Sequence, residues 1–224
     1  MSDTPTLLGQ RAEAFFVLAV AGWTDGAGFL LFAGIFVSFM SGDTTQLAAA
    51  LSVLKLAHAT TYLLPAVVFV FGAMLGRLLQ SEATSNGNTF VFGLTSALLF
   101  AAALLGSGAS RFPALLCALV AMGMLNAPLH EVNRVPVGTM VTGALVRLGQ
   151  ALADRLQRRP GNIADNAGQW LFFVTGAVAG CTTAHALGAV AFLFPAIGSA
   201  LLIPARLRSQ RQAPLNKGGH DHHD

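Results

Sequence analysis

Two carboxylates and a run of hydroxyls stand where the surrounding sequence offers them little water. Asp25 lies near the middle of an apolar run, inside GWTDGAG (Gly22 to Gly28), and the run breaks further on into Ser41-Gly42-Asp43-Thr44-Thr45. An ionisable group inside an apolar span is expensive. It must face a bundle interior, a cavity or a partner, and it is a functional hypothesis by default. Asp25 therefore reads as a proton or cation site, or else as a structural carboxylate capping a neighbouring broken helix. The knot at 41–45 reads as an unwound turn followed by a helix start, with hydroxyls and Asp43 suited to N-cap positions. The N–H groups at such an end attract anions. Asp43 beside them argues for self-capping against a free anion.

The same chemistry returns in the second half. Gly42 and Gly143 are 101 residues apart, and at that offset Gly22 meets Gly123, Asp25 meets Asn126, Ser38 meets Thr139 and Ser41 meets Thr142. Leu47, Ala50 and Leu51 likewise meet Leu148, Ala151 and Leu152. A second echo, Gly72-x-x-x-Gly76 against Gly176-x-x-x-Gly180, has an offset of 104, as if a short insertion lay between. Glycines at that spacing let helices approach closely, which makes Gly72, Gly76, Gly176 and Gly180 packing residues.

The elements that must position these groups are membrane helices. Hydrophobic residues form 54% of the chain and charged residues 10%, against about 25% charged in soluble domains. The mean hydropathy of +0.63 agrees. Sixteen Phe against a single Tyr suit a lipid-facing surface. A net charge of +3 would be compatible with nucleic acid, but the basic residues cluster between apolar runs and act as topology signals. Cys117 and Cys181 lie in apolar runs and read as buried free thiols.

A spanning helix needs about 20 apolar residues. By that rule the runs are 13–34, 61–79, 89–107, 112–130, 169–186 and 187–205. The first, starting near Ala12, reads as a retained helix and not a cleaved signal. Connectors fall at Ser81 to Asn88, Gly106 to Arg111 and Gln157 to Gly168, and the last two runs must turn among Gly180 to Gly188. Two interrupted stretches remain, 35–56 and 136–156; the second carries Arg147, which costs about 2.5–3.5 kcal/mol at mid-bilayer. The expectation is an all-α polytopic bundle of six spans plus two broken or re-entrant helices, with eight spans as the alternative. A tail at 1–12 and a basic, His-rich tail at 206–224 flank a membrane domain at 13–205, with repeat halves near 13–107 and 112–205. Arg11, Arg77, Arg134, Arg147, Arg155, Arg158, Arg159, Arg206, Arg208, Arg211 and Lys217 then share one side and only Lys55 and Arg111 the other, which puts both termini in the cytoplasm of a bacterial inner membrane. Three spans per half make the two halves inverted copies, an architecture that secondary transporters use around midplane sites.

On these residues the chain resembles the YoaK-like family of uncharacterised integral membrane proteins of bacteria and fungi. The carriers of the resemblance are GWTDGAG, FVSFMSGD (Phe36 to Asp43), GMLNAPL (Gly123 to Leu129) and VTGALVRLGQAL (Val141 to Leu152). Asp43 stands where that family usually has Asn, which adds a charge, and Leu125 where it often has Gln, which removes an amide. The resemblance implies a membrane fold and little chemistry.

The leading expectation is a transporter of a small solute or ion. Asp25 and Asn126 line its midplane site, with Ser38, Ser41, Gly42, Asp43, Thr44, Thr139, Thr142 and Gly143 as polar neighbours. The alternatives are a membrane-embedded enzyme using Asp25 and Asp43 as acid and base, and a scaffold in which polar groups only fasten helices. No catalytic set, cofactor or resident metal is expected. The tail His220-Asp221-His222-His223-Asp224 is only a compositional hint of metal affinity. His58, His130 and His185 sit near span ends, and Glu131 beside His130 would be solvated there. The expected partners are the bilayer and a small solute or ion, not nucleic acid, with homo-oligomerisation open.

Overall fold

The computed structural model describes residues 4–80, 87–129 and 141–212, with side chains described over 11–80, 87–127 and 141–203. Among these residues the chain forms helices and no strand. In order they are α1 (Thr4–Leu31), α2 (Met40–Ser52), α3 (Leu56–Leu79), α4 (Gly87–Leu105), α5 (Phe112–Leu129), α6 (Val141–Leu156), α7 (Ile163–Leu187), a 3₁₀ turn (Gly188–Phe192) and α8 (Leu193–Gln212).

Four apolar stretches are long enough to cross a bilayer: Arg11–Leu31, Leu56–Leu79, Gly87–Leu105 and Ile163–Ile203. The last contains both α7 and α8, and α5 is a shorter apolar helix beside them. α2 and α6 have 13 and 16 residues, hence lengths of about 20 and 24 Å at 1.5 Å per residue. Both fall short of the roughly 30 Å hydrocarbon core. Among the described residues these apolar helices, with the short α2 and α6 beside them, make an integral-membrane bundle. Its outward faces carry Leu63, Val67, Val70, Phe71, Phe90, Phe100, Val178 and Ile197, all exposed. Its interior is built from Val17, Ala21, Phe92, Leu99, Leu119, Met122 and Phe192.

Glycine contacts set the helix directions. A Cβ built on Gly176 would lie 2.1 Å from the Ala19 carbonyl oxygen, and one on Gly180 would lie 2.1 Å from that of Trp23. Both positions rise together, so α1 and α7 run parallel with backbones touching. In the same way Gly72 meets Val120 O at 2.5 Å and Gly76 meets Met124 O at 2.7 Å, so α3 and α5 run parallel. α8 descends α1: Phe192 stacks on Phe32 and Phe194 on Trp23, while Gly198 faces Val20 and Phe16. α4 opposes α8 through Ser96 Oγ, which donates to Ala196 O at 2.8 Å, and through Gly93 against Ile203. α1, α4 and α7 thus run one way and α3, α5 and α8 the other.

These contacts repeat in register. Gly176 and Gly180 are Gly72 and Gly76 shifted by 104 residues, and their partners Ala19 and Trp23 are Val120 and Met124 shifted by 101. Gly22 on Phe173 O matches Gly123 on Phe69 O. The chain is an inverted repeat in its packing as well as in its letters. The difference between the offsets, three residues, is the difference in length between α6 and α2. At offset 101 the buried positions Asp43 and Ala50 match Ala144 and Ala151. From the helix ends onward offset 104 applies: Leu54 at φ 54° and Arg158 at φ 58° close the same left-handed turn. Lys55 N donates to Ala50 O at 3.0 Å, and Arg159 N to Asp154 O at 2.8 Å. The extra turn therefore sits just beyond Ala151.

Several boundaries differ from the sequence expectation. The first run ends as helix at Leu31, because Ala33 (φ 55°) and Gly34 (φ 85°) reverse the chain there. α7 starts at Ile163, inside the stretch read as a connector; the Asn162 side chain caps it by accepting from Asp165 N. The turn expected among Gly180 to Gly188 lies at its far end, on Gly188 (φ 60°), because Gly180 is locked against Trp23 in mid-helix. Residues 1–3 and 213–224, Ser81 to Asn86 and residues 130–140 (with His130, Glu131, Arg134 and Thr139) lie outside the described residues, while the remaining parts of the expected tails, 4–12 and 206–212, continue α1 and α8 as helix.

Candidate functional site

The unwound element precedes the knot in which it was expected. Residues 32–39 are non-helical and turn back along α1, while Ser41 to Thr45 are already helix. The N-cap position is Phe39, which supplies no side-chain oxygen. The hydroxyls expected to cap are spent locally instead: Thr44 Oγ1 donates to Met40 O and Thr45 Oγ1 to Ser41 O. Ser41 and Thr44 are exposed, so they do not line an interior site.

Asp25 is buried six residues before the end of α1, about 9 Å down the helix. The returning loop reaches that depth. Asp25 Oδ1 accepts from Val37 N at 2.8 Å and Ser38 N at 2.7 Å, and Oδ2 accepts from Ser38 Oγ. A carboxylate supplies two oxygens to three converging donors, so the backbone of a loop without secondary structure is satisfied away from water. Asp25 acts as a clamp on a re-entrant segment. Of its expected neighbours, Ser38 touches it directly.

Asp43 closes the segment from the other side. Its Oδ1 accepts from Phe36 N at 3.2 Å and from Gln46 Nε2 at 3.3 Å; Gln46 Nε2 is also 3.3 Å from Gly34 O. Its Oδ2 is buried and has no partner among the described residues. Asp43 lies on α2, outside the spanning helices. Burial pushes its carboxyl up to about 6, the negative charge of Asp25 adds to that, and the Phe36 N–H and Gln46 amide oppose it. Gly42 makes room for the turn: a Cβ there would lie 2.7 Å from the Phe39 ring. Phe36 sits between Phe29 and Phe39, with ring centroids 4.9 and 5.2 Å away. The loop is thus held by two carboxylates underneath and three aromatic rings beside it.

The second half carries the counterparts of these groups. Asn126 lies three residues before the end of α5, and its Nδ2 donates to Met122 O at 2.8 Å. α1 and α5 run in opposite directions, so Asp25 and Asn126 stand at inverted positions of the repeat. Thr142 is exposed and Gly143 half-buried at the start of α6, and Thr139 is outside the described residues. Arg147, equivalent to Gln46 at offset 101, is not stranded at mid-bilayer. Its guanidinium donates to Asn166 Oδ1 at 3.3 Å and Gln169 Oε1 at 2.8 Å in the first turns of α7. Among the described residues no group of three or more His, Cys, Asp and Glu is arranged to hold a metal.

Sequence reasoning passed over the backbone donors of Phe36, Val37 and Ser38 and the amide of Gln46. Backbone N–H groups leave no mark in a sequence. Gln46 did leave one, because it stands one helical turn after Asp43.

Comparison with known proteins gives two matches. A family described as a protein of unknown function (DUF1275) matches residues 14–204. The UPF0700 transmembrane protein RA0705 of Rhizobium meliloti (strain 1021) is 33% identical over 202 residues, covering 86% of this chain and 84% of that protein. No solved structure matches. The expectation of an uncharacterised integral membrane family, drawn from the motifs around Asp25 and Asp43, agrees with both.

Proposed function

The chain belongs to the DUF1275 family of proteins of unknown function, and on that premise we propose that it carries a small solute or ion across the membrane. The observation that supports this is the re-entrant segment 32–39. It is broken backbone inside an inverted-repeat bundle, held against two buried carboxylates, one of which keeps an unpartnered oxygen. Irregular backbone at membrane depth is tolerated where it lines a pathway or is buried in protein, and inverted repeats give such a pathway two mirror-related gates.

The two carboxylates divide the work. Asp25 has both oxygens engaged by the chain and serves as the fixed clamp. Asp43 Oδ2 is the group free to take a proton or cation, and gaining one removes the cost of a buried negative charge near Asp25. Gain and loss of that proton or cation then couple to docking and release of the loop. The enzyme alternative has less support, since both Asp25 oxygens are engaged by the chain's own donors, Oδ1 by Val37 N and Ser38 N and Oδ2 by Ser38 Oγ.

The test is solid-supported-membrane electrophysiology on proteoliposomes, with a panel of amines, amino acids and small carboxylic acids. Protein-dependent current with at least one class, abolished in Asp43→Asn at unchanged melting temperature, is the expected result. No protein-dependent current across the panel from folded protein, or full current in Asp43→Asn, would sink the carrier reading or the role of Asp43 respectively.

A further inference from the structure

The turn that ends α6 carries Arg155, Arg158 and Arg159, all exposed, with the partly exposed Asp154 the acidic residue in the same turn. Among the described residues these three arginines make no ion pair and no side-chain hydrogen bond. Nearby charges are already matched: Arg11 pairs with Asp165 at 3.3 Å, and Arg147 is taken up by Asn166 and Gln169.

The backbone does not ask for them. The inverted counterpart, at the end of α2, makes the same left-handed turn with the same two hydrogen bonds, yet has Leu51, Leu54 and Lys55 at the equivalent places. Arg158 even occupies a positive-φ position at 58°, where any side chain with a Cβ is disfavoured. Three positive charges have therefore been placed on a turn that folds without them.

The helix leading into the turn is shaped for a membrane surface. Ala144 and Ala151 face the bundle, while Leu145, Leu152 and Leu156 line the outer side, with Leu156 87% exposed. Apolar residues along one side with arginines at the end are the chemistry of a helix lying at the level of lipid headgroups. From this we propose that the α6 turn is a binding site for anionic phospholipid headgroups, held by Arg155, Arg158 and Arg159 while Leu145, Leu152 and Leu156 rest among the acyl chains. The occupant is the anionic leaflet itself. Arginine is suited to it, because its planar fork takes a phosphate by two parallel hydrogen bonds. The proposal does not depend on what the protein carries.

The full-length protein is reconstituted in nanodiscs of phosphatidylcholine with a minor fraction of phosphatidylglycerol, and lipids retained after partial delipidation are counted by native mass spectrometry. Each basic residue near an anionic surface contributes a factor of about five, so the two net charges of the turn predict roughly thirty-fold enrichment of phosphatidylglycerol. The variant R155Q/R158Q/R159Q should lose it, the corresponding triple lysine variant should keep most of it, and K55Q on the opposite turn should leave it unchanged. Wild-type protein that retains the two lipids equally, or a triple glutamine variant that enriches phosphatidylglycerol as wild type does, overturns the proposal. So does competition by soluble glycerophosphate at equal headgroup concentration, since that would assign the site to a free phosphate. Should the glutamine variant fail to fold, the wild-type and lysine results still decide.

Discussion

Replacing Asp25 by asparagine and by alanine separates a clamp from a passive core residue. Three donors converge on this side chain: Val37 N, Ser38 N and Ser38 Oγ. Asparagine keeps one oxygen for the two backbone N–H groups but loses the charge that strengthens them. At about 1 kcal/mol per charge-assisted bond weakened to a neutral one, the cost is about 2 kcal/mol. Alanine orphans all three donors in a buried place, at about 1–3 kcal/mol each, or about 5 kcal/mol in all. For a chain of this size 1 kcal/mol moves the melting temperature by about 2–4 °C, so the shifts are about 4–8 °C for asparagine and about 10–20 °C for alanine. Ser38→Ala, which takes the hydroxyl from Oδ2 while Oδ1 keeps both backbone N–H groups, should cost about 1 kcal/mol. The assay is thermal unfolding in mild detergent followed by intrinsic fluorescence, with Trp23 on the same helix. The order wild type, Ser38→Ala, Asp25→Asn, Asp25→Ala is the expected result. Alanine melting with asparagine would show that the loop does not hang on this carboxylate, and asparagine melting with wild type would show that its charge plays no part.

Three further outcomes follow from the packing and the charges. Gly176→Leu and Gly72→Leu should destabilise by similar amounts, at least about 3 kcal/mol each, because both drive a side chain into a carbonyl of the parallel helix; unequal melts would deny the equivalence of the two pairs. Asp43 has a folded-state value near 6 against an ordinary 3.8, so its contribution to loop docking is full below about pH 4 and is lost as pH rises through 6. Hydrogen exchange at residues 36–39 should accelerate across that window in wild type and stay flat in Asp43→Asn; an unchanged pH profile in Asp43→Asn contradicts the assignment. Finally, single cysteines at Ser110 and Gln157, both exposed turn residues, should label from opposite sides of the membrane in intact cells. Labelling from one side would break the inverted arrangement.

Much of the architecture was legible because its causes are compositional. Long apolar runs with few charges announce spanning helices, and glycines four apart announce close backbone contact. The inverted repeat could be read from letters alone because Gly22 and Gly123, or Gly72 and Gly176, are positions at which no side chain fits. The break was harder. Ser41 to Thr45 look like a loop by residue type, yet helical hydroxyls can return their hydrogen bonds to the carbonyl one turn back and remain in the helix. The true break at Phe32 to Phe39 is written in phenylalanine, valine and isoleucine, which read as more span. Only Gly34 marks it. The inverted placement of Asn126 relative to Asp25 was implicit in the repeat, since inverting one copy reverses the direction of its helix.

The extra three residues of α6 bear on how such a chain came to be. The contacts that repeat, Gly176 on Ala19 and Gly72 on Val120, join each half to the other and not to itself. A half alone would leave those glycine faces open, and a second copy lying upside down is what would cover them. One gene can supply both copies only if its product enters the bilayer in either orientation. Fusion ends that ambiguity and lets the two surface turns diverge. In this chain α6 is the longer and its turn carries Arg155, Arg158 and Arg159 where the α2 turn has Leu51, Leu54 and Lys55, and such an asymmetry of charge is what an insertion machinery reads.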